Sequence, residues 1–356
     1  MSLDNPVRLE SWRAVLVFCL VAVGLQILVG GIRAVDGTAL AMAAKDGFAA
    51  EIPAFAQYIF DSPLKILFLK VLGVQSPAGI AVIFMVLAFL PFTAALLAAD
   101  EESRKTCLLA VAALPVTHVA FSTIGSGDSV ILACAVAIIV SPSRWVVLAG
   151  STIMVTWHMQ QGVIVLVMMA AAFFLSGDEA ARRKLAYMVA GGVLGFAIYM
   201  AFRLWVIPPY HGRAGFLAHY VERFALRLVF YWPIAVLVAV PGLIAFWLAR
   251  GLRGIHWLVW LSLLGALVVA GITSDVSRVF FVLIFGVTLF LMLSPPARNL
   301  RRLDLLVPVL ALSTVVPLLN FAGIEIYSWN ALAELAMKYS GASELLRRFI
   351  ELRSAF

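Results

Sequence analysis

Long apolar runs alternate with short polar segments along almost the whole chain. A helix needs about 20 consecutive, mostly apolar residues to cross the roughly 30 Å hydrocarbon core of a bilayer. The pattern therefore predicts an all-α fold, a polytopic transmembrane helix bundle of about eleven spans. The predicted spans are 12–31, 77–99, 106–122, 128–141, 145–158, 160–176, 186–207, 228–249, 256–272, 279–295 and 303–322. The exact helix count is left open between 128 and 176, where the spans are short or run together.

The segments outside the spans also show helical patterns. The first loop, 32–76, predicts two short amphipathic helices at 37–50 and 52–60, divided by Pro53. The next piece, 63–70, is too short to cross a bilayer, so we expect an interfacial segment whose lysines reach the surface. We therefore divide the chain into a transmembrane domain, 1–322, and a C-terminal amphipathic surface helix, 323–356.

Composition and charge support this interpretation. The chain is 63% hydrophobic and only 13% charged, whereas about a quarter of a soluble chain is charged. The net charge of +7 does not require nucleic acid as a partner, because Lys and Arg collect at cytoplasmic helix ends. With the N-terminus in the cytoplasm, basic residues fall in every short inner loop. We therefore predict a bacterial inner membrane protein with a periplasmic C-terminus.

This orientation places the polar features of the chain on the outer face. They are Asp36 with its loop, the turn 125–129, the stretch 157–161, the loop 208–213 and the segment 273–278. The three cysteines are scattered through apolar segments, and no His, Cys or Asp cluster has the spacing of a zinc site. We therefore predict no resident metal from the spacing, and chemistry that faces outward.

Several of these polar segments resemble motifs of one enzyme superfamily. Asp36 stands where that superfamily has an acidic residue soon after its first span. The other motifs are YIFDSPL at 58–64, GSGDS at 125–129, QQG at 160–162 and DVSRVF at 275–280. Together they resemble the GT-C glycosyltransferases, the polytopic enzymes that take sugars from polyprenyl-phosphate carriers. Gly37 stands where a Glu usually follows the first acid, and His158 stands near the place of a Lys.

The resemblance implies a reaction and its partners. The donor would be a polyprenyl-phosphate sugar, and the acceptor would be a lipid, a glycan or a protein. Membrane lipid would surround the enzyme. Displacement at the anomeric carbon would invert its configuration. The resemblance leaves a divalent cation, Mg²⁺ or Mn²⁺, open as a cofactor and names no other.

Two carboxylates are the candidate catalytic groups. An acceptor hydroxyl must lose its proton as it attacks, and a carboxylate within hydrogen-bond reach can accept that proton. Asp36 is the first candidate for this base. Asp128 is the second, and its alternative role is to cap the helix that starts at Ser129.

Cations are the candidate ligands of the donor phosphate. Arg278 is the first of these, because a fixed guanidinium stabilises the growing charge of a leaving phosphate. Its alternative is an exposed ion pair with Asp275, one turn earlier. The further candidates for the same substrate site are Asp275, Lys65, Arg213, His211, Tyr210, Arg33 and His158. For His158, a hydrogen-bonded structural role is the alternative.

Two other classes of function remain open from the sequence. A transporter or flippase for a small molecule or a lipid-linked sugar would need polar groups and broken helices at the bilayer midplane. A non-catalytic scaffold would use the outer loops to bind a partner. The charges lie at the ends of the predicted spans, which favours the enzyme.

Overall fold

The structure is a computed structural model. It describes residues 8–32, 37–52, 54–176, 178–207, 257–271, 276–293, 303–314, 319–322, 325–328, 338–339 and 344. Over these residues the fold is helical except for one short hairpin. The α-helices are α1 Trp12–Gly30, α2 Gly37–Asp46, α3 Pro63–Val71, α4 Pro77–Leu87, α5 Leu90–Ala95, α6 Glu101–Ala113, α7 Pro115–Ser122, α8 Asp128–Val140, α9 Arg144–Trp157, α10 Met159–Leu175, α11 Glu179–Trp205, α12 Trp257–Gly271, α13 Val276–Leu293 and α14 Leu303–Thr314.

Helices occupy the position of every predicted span except 228–249, which lies outside the described residues. By length and composition, three helical stretches of the described chain could each cross a membrane: Trp12–Gly30, Pro77–Ala95 and Glu179–Trp205. The pair α6–α7 makes a fourth if its bend of 62° lies within one span. The helical fold is thus confirmed for the described residues apart from the hairpin, three or four of its helices could cross a membrane, and the count of eleven stays a prediction.

The last predicted span, 303–322, extends beyond the end of the helix found in the structure. Helix α14 ends at Thr314, and strands β1 Leu319–Ala322 and β2 Glu325–Ser328 pair antiparallel, with Ala322 opposite Glu325. The sequence here contains Pro317 and Gly323, residue types that disfavour a continuous helix. The predicted surface helix is therefore wrong for residues 325–328, and most of the remaining tail lies outside the described residues.

The first loop forms short helices, as predicted, but with different bounds. Helix α2 ends at Asp46 and continues as a 3₁₀ helix, Gly47–Ala49; a second 3₁₀ helix covers Ala54–Asp61. Gly47 has a φ of +70°, which ends the α-helix because that conformation favours glycine. The prediction that both lysines of α3 reach the surface is confirmed for Lys70, which is exposed, and wrong for Lys65, which is buried.

The break between α6 and α7 is stabilised by side chains. Pro115 has no N–H group, so helical hydrogen bonds are lost at this point. The Ala112 carbonyl accepts a hydrogen bond of 2.7 Å from the Gln26 side chain, and the Val111 carbonyl accepts one from the Thr117 hydroxyl. Unpaired carbonyls are costly in a membrane, so these bonds from α1 and α7 make the bend tolerable.

Helices α9 and α11 pack closely through glycines. A methyl group added at Gly191 would lie 2.4 Å from the Leu148 carbonyl oxygen, and one at Gly195 would lie 2.8 Å from that of Thr152. The Thr152 hydroxyl also donates a 3.1 Å hydrogen bond to the Gly191 carbonyl. Both close pairs differ by 43 in residue number (191 less 148, 195 less 152), so the two helices run parallel. Small residues allow this backbone approach where water cannot drive association.

Helices α10 and α13 also run parallel. Gly286 lies against the Met169 side chain, and the rings of Phe173 and Phe290 have centroids 4.6 Å apart. Both pairs differ by 117 in residue number (286 less 169, 290 less 173), so the two helices start at the same level.

Helices α8 and α9 run antiparallel, because Gly150 approaches Cys134 while Trp157, at the end of α9, approaches Gly127. The beginnings of α8, α10 and α13 therefore lie at one end of the bundle with the ends of α9 and α11. We call it the Asp128 end.

The α9–α11 contact generates the first prediction. We expect Gly191→Ala to lower the free energy of unfolding by about 1–3 kcal/mol, because the added methyl group would push α9 and α11 apart. Gly192→Ala is the matched control, since its methyl group would have an ordinary contact at 3.5 Å. Unfolding of both purified variants in detergent measures the difference. Equal stability of the two variants would show that the helices do not pack as described.

Candidate functional site

The Asp128 end is organised by the turn between α7 and α8. Gly125 and Gly127 have φ angles of 99° and 82°, a region that side-chain-bearing residues rarely adopt. Between them, Ser126 donates hydrogen bonds to the Thr123 carbonyl from its backbone N–H, at 3.3 Å, and from its hydroxyl, at 2.8 Å. The glycines reverse the chain within four residues and leave the carbonyls of Ser126 and Gly127 to accept bonds from elsewhere.

Asp128 follows this turn and is only 1% exposed. Its Oδ2 accepts a 2.9 Å hydrogen bond from the Ser126 hydroxyl and lies 3.5 Å from Nη1 of Arg278. Helix α8 begins at Asp128 itself, with Gly127 as its N-cap residue. The alternative that Asp128 caps a helix starting at Ser129 is therefore wrong. Its carboxylate still lies in the first turn, where the helix dipole favours negative charge.

Arg278 lies in the first turn of α13 and is 8% exposed. An exposed surface position for this residue is therefore wrong. Its guanidinium forms a buried ion pair with Asp128, although the two residues come from distant parts of the chain. Whether Asp275 also pairs with Arg278 stays a prediction, because Asp275 lies outside the described residues.

Lys65 reaches the same turn from α3. It is 3% exposed, and its Nζ donates a 3.3 Å hydrogen bond to the Ser126 carbonyl. From the end of α9, the Trp157 indole N–H donates a 3.0 Å hydrogen bond to the Gly127 carbonyl. The predicted phosphate ligands Lys65 and Arg278 therefore reach the same short turn, from α3 and α13.

His158 lies beside this site, at the junction of α9 and α10. It is buried, and its extended backbone separates the two helices. Its N–H donates to the Met154 carbonyl at 3.3 Å, and its carbonyl accepts from the Gly162 N–H at 2.8 Å. These backbone bonds hold the junction, while both a structural role of the His158 side chain and its contact with a substrate stay predictions.

The other predicted site residues lie outside the described residues, so their positions stay predictions. They are Arg33, Asp36, Tyr210, His211, Arg213 and Asp275. Among the described residues, no group of three or more His, Cys, Asp or Glu side chains could hold a metal ion.

The structure also reveals a buried carboxylate to which the sequence assigned no role. Asp61, at the end of the second 3₁₀ helix, accepts a 3.1 Å hydrogen bond from the Tyr199 hydroxyl of α11, and both residues are buried. Tyr199 lies near the end of α11, so this pair also belongs to the Asp128 end. The feature of the sequence that could have drawn attention to Asp61 is its position four residues before Lys65.

Gln161 is a second residue that the sequence did not select, although it belongs to the QQG motif. It lies in the first turn of α10 and is buried. Among the described residues, neither its Oε1 nor its Nε2 has a hydrogen-bond partner. Burial of this residue could not be inferred from the motif alone.

The arrangement combines two buried cations with one buried carboxylate, Asp128, at the start of a helix. Lys65 and Arg278 can bind an anionic group, and the N-terminus of α8 adds positive potential at the same place. Asp128 orients Arg278 through their ion pair. Such a site can hold a phosphate and stabilise negative charge that develops on it.

Comparison of the chain with protein-family models, with curated proteins and with solved structures gives no match.

The turn generates the second prediction. We expect Gly127→Ala to destabilise the protein by about 1–3 kcal/mol more than Gly73→Ala. Both glycines have positive φ, so both variants have a strained backbone. Only the methyl group at Gly127 would also meet the Trp157 indole, at 2.5 Å, whereas none of the described atoms lies within 4 Å of one at Gly73. Thermal unfolding in detergent measures both, and equal losses would contradict the packing of Trp157 on the turn.

Proposed function

We propose that the chain is a membrane glycosyltransferase. It would move a sugar from a polyprenyl-phosphate donor to a lipid, glycan or protein acceptor on the outer face of a bacterial inner membrane. One observation carries the proposal: Lys65, Asp128 and Arg278 come from three separate segments and meet, buried, around one turn at an end of the helix bundle.

The cations suit the donor phosphate. When the bond between the anomeric carbon and the phosphate oxygen breaks, its electron pair goes to the phosphate, whose negative charge grows. A fixed guanidinium and ammonium stabilise that charge more strongly in a buried site than in water. Because Arg278 lies at the start of α13, a phosphate bound there would have its lipid tail beside the apolar bundle.

The carboxylates divide between two tasks in this proposal. Asp36 would accept the proton of the acceptor hydroxyl while the hydroxyl oxygen attacks the anomeric carbon, which inverts the configuration. Asp128 would orient Arg278, since its Oδ2 already contacts that guanidinium and the Ser126 hydroxyl. A divalent cation is not needed for either task.

Transfer by the purified protein is the third prediction. In lipid nanodiscs with radiolabelled polyprenyl-phosphate sugars and a membrane extract as acceptor, we expect labelled product and free polyprenyl phosphate. Arg278→Lys should lower kcat about 100-fold or more, because the ammonium cannot reproduce the guanidinium geometry. Lys65→Met should raise KM for the donor, and Asp36→Asn should abolish transfer.

Matched controls separate these effects from loss of the fold. Arg144→Lys and Lys70→Met change exposed cations of the same kinds and should retain full activity. The double variant Asp128→Asn with Arg278→Gln removes the buried pair without leaving one charge alone, so it should fold but not transfer. Full activity in Arg278→Lys or Asp36→Asn would remove that residue from the mechanism.

The same experiment distinguishes the alternative functions. A transporter or flippase would move the labelled lipid across a vesicle membrane with its sugar–phosphate bond intact. A non-catalytic scaffold would neither cleave nor move it. Release of polyprenyl phosphate together with a glycosylated acceptor is the outcome that only the transferase predicts.

A further inference from the structure

Gln161 is a buried amide without a partner in the described part of the chain. It is 3% exposed, and both polar atoms of its side chain lack a hydrogen bond to any described residue. The neighbouring Gln160 is half-buried instead. Burying a carboxamide without partners destabilises a fold, so an apolar residue would serve the packing better. The amide therefore suits a ligand that supplies the missing bonds.

The packing of α10 on α13 puts Gln161 at the level of the candidate site. Met169 with Gly286 and Phe173 with Phe290 share an offset of 117 residues, and the same offset relates Gln161 to Arg278 (278 less 161). The two side chains therefore lie at the same level of two adjacent, parallel helices.

A second buried atom at this end lacks a partner among the described residues. Asp128 uses its Oδ2 for Arg278 and Ser126, whereas its Oδ1 has no hydrogen bond. Together, Oδ1 of Asp128 and the carboxamide of Gln161 offer two acceptors and one NH₂ donor. The phosphodiester of the donor carries one negative charge and has hydrogen-bond acceptors only, so two of these three groups would repel it. Hydroxyl groups both donate and accept, and a sugar ring carries several of them side by side.

We propose that Gln161 binds hydroxyl groups of the sugar that the donor carries, while Lys65 and Arg278 hold the phosphate. This inference rests on the proposed function and assigns the phosphate and the sugar of the donor to different residues of the site. The charged part of the donor meets the cations of α3 and α13, and the neutral part meets the carboxamide of α10 with Oδ1 of Asp128. Gln161 then selects among donors by their sugar and not by their lipid.

The fourth prediction tests this division by direct binding. Purified full-length protein, wild type or Gln161→Met, is titrated with polyprenyl phosphate and with the same phosphate carrying glucose, mannose or arabinose. For the sugar that wild type binds best, we expect Gln161→Met to weaken binding about 10- to 100-fold, the loss of one or two hydrogen bonds. Affinity for polyprenyl phosphate alone should change less than twofold. Gln160→Met is the matched control and should bind both ligands as wild type does.

Two further measurements exclude a merely structural role. Without ligand, Gln161→Met should unfold at the same temperature as wild type or higher, because methionine has no amide to leave unpaired. Among deoxy analogues of the preferred sugar, at least one should lose no further affinity in Gln161→Met, because it lacks the hydroxyl that the amide binds.

The outcomes separate this inference from the proposed function. Equal loss of affinity for the bare phosphate and for the sugar donor would overturn the role of Gln161 and leave the transferase standing. Unchanged sugar binding in Gln161→Met would do the same. Failure of wild type to bind any polyprenyl phosphate would overturn the proposed function, and this inference with it.

Discussion

The buried ion pair between Arg278 and Asp128 is the interaction on which the Asp128 end depends. It joins the start of α13 to the turn before α8, two parts of the chain that no local contact brings together. Removing two charges from water costs about as much as their attraction returns, so an apolar pair would stabilise the bundle equally well. Loss of one partner alone would leave the other charge buried and destabilise the protein by about 3–5 kcal/mol. The pair therefore fits a chemical task better than a purely structural one.

The helices that position this ion pair pack through close backbone contacts. Gly191 and Gly195 bring α11 against α9, and Gly286 brings α13 against Met169 of α10. Each contact involves a small residue, so the helices have little freedom to slide or rotate. The constant offset of 117 residues places the starts of α10 and α13 at the same level. Functional groups on rigid helix ends keep their geometry better than groups on long loops, as a site for charged chemistry requires.

The groups at the Asp128 end differ in what they can bind. Lys65 and Arg278 are cations, and Gln161 is a neutral amide. Asp128 pairs with Arg278 through Oδ2, while its Oδ1 has no hydrogen bond to any described residue. A lipid-linked sugar has the same order of parts, with an apolar tail, a charged phosphate and a neutral ring rich in hydroxyls. The cations of the site suit the phosphate of such a donor, and the amide suits its sugar. This match connects the geometry of the site with the proposed donor.

The sequence by itself determined the helices and the chemical types of the site residues. The bounds of α1, α8, α9 and α10 agree with the predicted spans within two residues, because Ser, Gly and Pro end helices through local backbone preferences. Tertiary structure alone decided which residues meet. Lys65 was expected at the surface, but the turn before α8 covers it. An amphipathic pattern does not tell which neighbouring segment covers a side chain. The pairing of Asp128 with Arg278 and the burial of Gln161 depend on contacts between distant helices, which no local pattern encodes.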